Sequence, residues 1–376
     1  MKWYKVSVFH HIAVVAMSFV VVAILVFCTL NISFLNPIAT AFEDFSVIDI
    51  YYQMHKELGD ERKSRLVTIV DMTELTSRRD ISNVINEIES YNPAVLGIDI
   101  VFEGLKEDTV GDNMLMDIAD RHSNIVYSYK LQKYIDRQYT EEVHSFFTPY
   151  IPVTEGFTNF ERKLYGGIKR KVTIGLPSKG SVKPSFALEV ANMYAKQDVM
   201  PLENKQIELN FIPTDFNSIS YREIGQHPEC IDGRVVLLGA TKDENDMHYT
   251  PLGKIAGVEL LAYSVETLLN QKEIKETPLW LFVLISVIIV LLTEYVLSWY
   301  KRIVVRSPVR FIRSFLTSNI IVAFLIFVLM AIFFTIAYVL FCVGNYSINL
   351  GWAFSAMACL DSCQQFYNIC IKKENL

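Results

Sequence analysis

Three aspartates, Asp71, Asp99 and Asp246, carry most of the chemistry in this 376-residue chain. Asp71 and Asp246 lie near the C-terminal ends of predicted strands, where open α/β sheets place ligand crevices. Asp99 falls inside the apolar stretch 94–102, so burial should force a partner on it. Convergent carboxylates suit a polar ligand or a cation, since hard cations take oxygen ligands. Their plainer role is to accept hydrogen bonds that pin neighbouring loops. His248 stands two residues from Asp246, but no nucleophile, paired base and oxyanion site can be assembled around it, so catalysis is not expected. Gly239, Gly253 and Gly257 match no phosphate-loop spacing and read as turn residues, and Arg170 and Lys171 read as solvated surface. Of the six cysteines only Cys230 lies in the block 31–277, which excludes a disulfide within it, and no zinc spacing exists. No metal and no cofactor are expected.

The elements that must position these acids follow βαβ logic. The run 65–71 is β-branched and ends on Asp71. Asp80 then reads as a helix N-cap before Ile81, Val84, Ile85 and Ile88 at helical spacing. Asn92-Pro93 stops that helix, and 94–102 reads as a second strand, parallel to the first and reached by a right-handed crossover. A helix at about 111–121 and a strand at 124–129 continue the pattern. The section 130–180 reads as an inserted arm, followed by a helix near 184–196 and a strand near 206–212. The last core pair is a strand at 234–239 and a helix at 257–270, joined by a long polar loop.

Three apolar runs, 6–30, 278–299 and 318–343, are long enough to cross a bilayer as helices. A fourth, 346–361, is shorter and follows the break signal Gly344-Asn345. Lys2 and Lys5, the basic loop 300–317 with Lys301, Arg302, Arg306, Arg310 and Arg313, and the tail Lys372 and Lys373 then belong in the cytoplasm. This orientation requires the fourth run to cross and places 31–277 outside. That block carries 26 Lys and Arg against 38 Asp and Glu, an acidic balance that excludes nucleic acid as a partner. Ala39-Thr40-Ala41 resembles a signal-peptide cleavage site, but the run before it is too long for a signal core, so an uncleaved anchor is expected. Glu294 stands close enough to the inner interface to pair with Lys301 or Arg302, which favours interface anchoring over a proton path.

Several separated segments together resemble one family. Asn92-Pro-Ala-Val-Leu-Gly-Ile-Asp-Ile-Val-Phe102, Gly156-Phe-Thr-Asn159, Gly167-Ile-Lys-Arg170 and Pro184-Ser-Phe-Ala-Leu188 come in order. The most specific string is Gly233-Arg-Val-Val-Leu-Leu-Gly-Ala-Thr241, then Asp246, Thr250-Pro-Leu-Gly253 and Gly257-Val-Glu-Leu260. The block 31–277 resembles the CHASE domain, type 2, an extracytoplasmic sensory module of bacterial signalling proteins. An acid that the family carries before its Gly-Val-x-Arg segment is replaced here by Tyr165-Gly166. The resemblance also implies a cytoplasmic kinase or cyclase, for which this sequence shows no motif, so the output is expected to come from a separate effector.

The resulting expectation is a mainly parallel or mixed α/β domain tied to a transmembrane bundle with one N-terminal and three C-terminal spans, in the bacterial inner membrane with both termini cytoplasmic. The boundaries are 1–30, 31–277, 278–299, 300–317, 318–343, 346–361 and 362–376. Asp71, Asp99, Thr241, Asp246 and Thr250 are the candidate ligand residues. Gly257, Glu259, Arg302 and Arg306 are the candidate coupling residues. Partners are the lipid bilayer, an outer ligand and the effector, with a homodimer as an allowed assembly. The rival readings are an extracytoplasmic enzyme using Asp99 and Asp246, or a scaffold of a membrane complex.

Overall fold

The computed structural model describes residues 8–31, 47–107, 109–160, 167–270 and 274–374. The expectations for Ala39-Thr40-Ala41 and for Tyr165-Gly166 lie outside the described residues. The chain divides into two compact units, residues 52–274 and residues 1–51 with 275–376. In chain order the helices are α1 (Val8–Asn31), α2 (Val47–Glu57), α3 (Arg78–Ser90), α4 (Thr109–Arg121), α5 (Phe186–Ala195), α6 (Gly257–Asn270), α7 (Leu279–Val305), α8 (Arg310–Leu316), α9 (Asn319–Gly344) and α10 (Gly351–Glu374).

The first unit is mixed α/β. Its main sheet, among the described residues, holds nine strands: β1 (Val67–Asp71), β2 (Val95–Ile98), β3 (Ile125–Ile135), β4 (Gln138–Val143), β5 (Thr154–Phe157), β6 (Gly175–Ser178), β7 (Ser181–Pro184), β8 (Ile219–Ser220) and β9 (Val235–Gly239). The order is β8-β1-β9-β2-β3-β4-β6-β7, with β5 also paired to β3. The pairs from β8 to β3 are parallel. Beyond Tyr129 the strand β3 continues into an antiparallel hairpin with β4, and β6 pairs antiparallel with β7. The arm expected at 130–180 is thus largely a continuation of the sheet.

The parallel relation of β1 and β2 is correct in direction but not in adjacency. The late strand β9 inserts between them, Leu238 lying opposite Val70 on one side and Ile98 on the other. Its five residues are all buried, as the interior strand of a doubly covered sheet requires. Side chains alternate strictly. Val70, Leu96, Ile98, Val236 and Leu238 join Ile85 and Ile88 of α3 and Leu115 and Ile118 of α4 in one core. On the other face a Cβ at Gly97 would lie 2.9 Å from the Phe186 ring of α5, and one at Gly239 would lie 2.8 Å from Val258 of α6. These glycines let two helices close on the sheet.

Two local boundaries differ from the sequence expectation. The N-cap of α3 is Ser77, not Asp80, which sits in the first turn, where a carboxylate still favours the helix dipole. Strand β2 ends at Ile98, four residues before the expected end. The opening of α5 follows its sequence closely: Ser185 Oγ accepts from Leu188 N at 3.3 Å, a side-chain cap of the usual kind.

The second unit is helical. Among the described residues, α1, α7 and α9 contain three stretches long and apolar enough to cross a membrane. The fourth expected run is displaced: α10 starts at Gly351 and runs to Glu374, and its polar positions keep it out of that class. It nevertheless packs with the other three around Val14, Val290, Val322, Ala353, Ala356 and Met357. Asn345 ends α9 in the left-handed conformation, as the Gly-Asn break suggests. Glu294 does not pair with Lys301 or Arg302. It is 1% exposed and accepts from Ser298 Oγ and Gln364 Nε2, each at 3.0 Å.

Candidate functional site

Three parallel strands deliver their C-terminal ends side by side: β1 ends on Asp71, β9 on Gly239 opposite it, and β2 just before Asp99. Asp99 N still donates to Leu238 O at 3.0 Å, so its Cα is held by the sheet. The chain leaving β9 then runs along this edge, through a short 3-10 turn at Glu244–Asp246 and a hairpin of β10 (Met247–Thr250) and β11 (Gly253–Ala256), directly into α6. The polar loop expected here is therefore mostly an ordered hairpin.

Asp71 is the anchor of the edge. Its Oδ1 accepts from Thr73 N at 3.0 Å, Thr73 Oγ1 at 2.5 Å and Thr241 N at 3.1 Å. Burial pushes its carboxyl up, but the bonds from Thr73 and Thr241 outweigh this and hold it below the usual range. Thr73 also accepts from Thr241 N and Lys242 N, each at 3.1 Å, clamping the start of the loop. Thr73 was missed from sequence, although an acid followed two residues later by a threonine is an Asx-turn signal. Lys242 Nζ stands 3.6 Å from Asp71 Oδ2.

Asp99 and Asp246 form a different kind of centre. Among the described residues no hydrogen bond reaches the Asp99 side chain, contrary to the expectation that burial would give it a bonding partner. Desolvation, then repulsion from Asp246, push its carboxyl up to about 7 against the pull of Lys130 and His248. Asp246 lies at the mouth of α6: a Cβ on Gly257 would sit 2.2 Å from Asp246 Oδ2. The carboxylate thus occupies the space that only a glycine leaves open at a helix N-terminus, where the dipole favours negative charge. His248 Nε2 lies 3.4 Å from Asp246 Oδ1, and its ring meets Phe160 at 5.0 Å between centroids. Lys130 and Phe160 come from the β3 arm and the segment after β5, too distant in sequence to be linked to Asp246 without the fold.

The remaining candidates separate. Thr250 is buried and serves its own turn, donating to Gly253 O at 2.9 Å and accepting from Leu252 N at 3.2 Å, so it pins the hairpin. That turn is also held by α2, where Lys56 Nζ donates to Leu252 O at 2.6 Å and Gln53 Nε2 donates to Pro251 O. Glu259 Oε2 accepts from Ala256 N at 3.3 Å, closing the first turn of α6, and burial raises its carboxyl despite that bond and Lys56. Arg302 is exposed near the end of α7, and Arg306 caps that helix through Ile303 O. Arg170 O accepts from Leu209 N at 2.7 Å, a structural use of a residue read as plain surface. No cluster of three or more metal-ligating side chains occurs among the described residues.

The arrangement presents a carboxylate pair, a lysine and an imidazole along one sheet edge. It can receive a polar ligand or exchange protons. The family model described as the CHASE2 domain matches residues 20–296 of the chain. No curated protein and no solved structure matches it.

Proposed function

Given that the chain belongs to the CHASE2 family, whose members are sensory extracytoplasmic domains, we propose that the edge formed by Asp71, Thr241, Asp99 and Asp246 is the receptor site of a membrane sensor. A ligand outside the membrane displaces or neutralises Asp246, and the N-terminus of α6 moves with it. The observation that carries this reading is the seat of Asp246 against Gly257. One side chain belongs both to the crevice and to the first turn of a helix that is followed, nine residues after Asn270, by the start of α7 at Leu279.

In this reading α1, α7, α9 and α10 cross the bacterial inner membrane, the basic loop 300–317 lies in the cytoplasm, and a separate effector reads it through Arg302 and Arg306. Positive charge on that loop supports the orientation, and the shared core of the four helices supports a crossing by α10. Gly257 and Glu259 transmit; no turnover is involved.

The test is crosslinking of the intact protein in its native membrane, with capture measured by mass spectrometry. One specific cytoplasmic protein is expected. Arg302→Glu with Arg306→Glu should reduce its capture tenfold or more without altering membrane insertion. Gly257→Ala, which displaces Asp246, should change capture at least threefold. Capture indifferent to both changes would sink the reading.

A further inference from the structure

The helical unit contains a polar centre that the crevice does not explain. Glu294 of α7 is 1% exposed and His11 of α1 2% exposed, and His11 Nδ1 lies 3.2 Å from Glu294 Oε1. That same oxygen accepts from Ser298 Oγ and Gln364 Nε2, while Oε2 is buried with no hydrogen-bond partner among the described residues. A carboxylate with one bare oxygen in a dry interior is costly. Lys301 Nζ makes its hydrogen bonds elsewhere, to Asp361 Oδ1 at 2.6 Å and to Gln364 Oε1.

His11 has a second exposure. With Val8, Tyr295, Val296, Trp299 and Arg302 it lines a cavity of about 420 Å³, its ring packed on Tyr295 at 4.4 Å. A single imidazole therefore stands between that cavity and the buried acid. We propose that His11 and Glu294 form a proton-binding site in the bundle, in which Glu294 takes up and releases a proton through the ring of His11. In the uptake step His11 gives the proton on Nδ1 to the Glu294 carboxylate and regains one at its other ring nitrogen from the cavity side. The pair holds one proton in its neutral states, and losing it leaves a charge that the bundle must accommodate by moving.

The helices of the bundle carry further titratable and charged groups. α1 contributes His10, whose ring meets Tyr367 of α10 at 4.7 Å. α7 contributes Tyr295, Lys301 and Arg302, α10 contributes Asp361, Cys363 and Tyr367, and α8 carries Arg310 and Arg313. α9 has no charged residue in its sequence. The ligand is the proton itself, and the site is separate from the carboxylate pair of the α/β unit.

The test is infrared difference spectroscopy of the full chain in lipid nanodiscs, titrated from about pH 4 to about pH 10 to span ordinary carboxyl and imidazole values. A protonated-carboxyl band that titrates, and that disappears in Glu294→Gln, is the expected result. His11→Asn should shift its midpoint by about one pH unit or more, a tenfold change in proton affinity. If Glu294→Gln does not assemble, Glu294→Asp keeps the acid and should move the band's frequency. A Glu294 band that never titrates, or a midpoint indifferent to His11→Asn, would overturn the proposal and leave the group as a structural tie.

Discussion

The two units bury acids in opposite ways. In the α/β unit Asp99 meets another carboxylate, Asp246, with Lys130 and His248 as counterweights and no side-chain hydrogen bond among the described residues. In the helical unit Glu294 is surrounded by donors on one oxygen, and among the described residues the cationic candidate in contact with it is a histidine. The first acid stands at a sheet edge beside an ordered hairpin, and the side chain of Asp246 is 47% exposed. The second stands between packed helices and is 1% exposed. Under the two proposals, the partly exposed edge answers to an arriving ligand and the donor-rich buried acid answers to protonation.

The comparison is broken most severely by damaging the α/β unit alone. A Cβ at Gly156 would lie 2.4 Å from Phe186 Cα and 2.5 Å from Phe186 N, and backbone cannot step aside as a flexible side chain can. Gly156→Ala is expected to lower the stability of that unit by about 3 kcal/mol, read as a lower denaturant midpoint. The helical signal of α1, α7, α9 and α10 should persist through that earlier transition. Simultaneous loss of both would show that the units do not unfold separately.

Asp99→Asn sharpens the comparison at the next scale. The folded carboxyl sits at about 7 against an ordinary value of 3.8, so within that window the native state binds more protons than the unfolded chain. Stability must then fall as pH rises through the window and stay low above it. The asparagine variant should lose this slope and exceed the parent by roughly 2 kcal/mol at about pH 8. Denaturant titrations at several pH values check it, and a parent slope retained in the variant would remove Asp99 as its source.

Much of the α/β framework was legible because its strands and helices are short, strongly patterned and punctuated: 65–71, 81–88 and 234–239 needed no tertiary information. The place of β9 between β1 and β2 was not, since strand order depends on which buried faces fit, and local pattern is silent on that. Asp71, Asp99 and Asp246 were visible as acids near strand ends. Lys130, Phe160 and Thr73 were not, because the first two arrive from the arm and the third looks like an ordinary loop threonine. Thr250 bonds within its own turn, and a buried hydroxyl serving its own turn is indistinguishable in sequence from one facing a ligand. Glu294 was misread for a related reason: Lys301 and Arg302 are near it along the chain, but His11 and Gln364 reach it from other helices.

The smallest effect lies in the arm, at His144. Its Nδ1 is 2.8 Å from Glu155 Oε2 and its Nε2 3.3 Å from Glu142 Oε2, and its ring stacks on Tyr129 at 4.7 Å. The bond to Glu155 holds the imidazole above its ordinary 6.5, against the pull of burial. Its contribution is therefore complete below 6.5 and disappears as pH rises through the raised folded value. This window begins near where that of Asp99 ends, although both make the α/β unit weaker in alkali. At 32% side-chain exposure screening limits the gain to below about 1 kcal/mol. His144→Gln should lower stability at about pH 5 by that amount and leave it unchanged at about pH 9, measured in the Asp99→Asn background so that the larger slope is absent. A loss equal at both pH values would assign the histidine to packing on Tyr129, and the charge of the arm would then play no part in what distinguishes the two units.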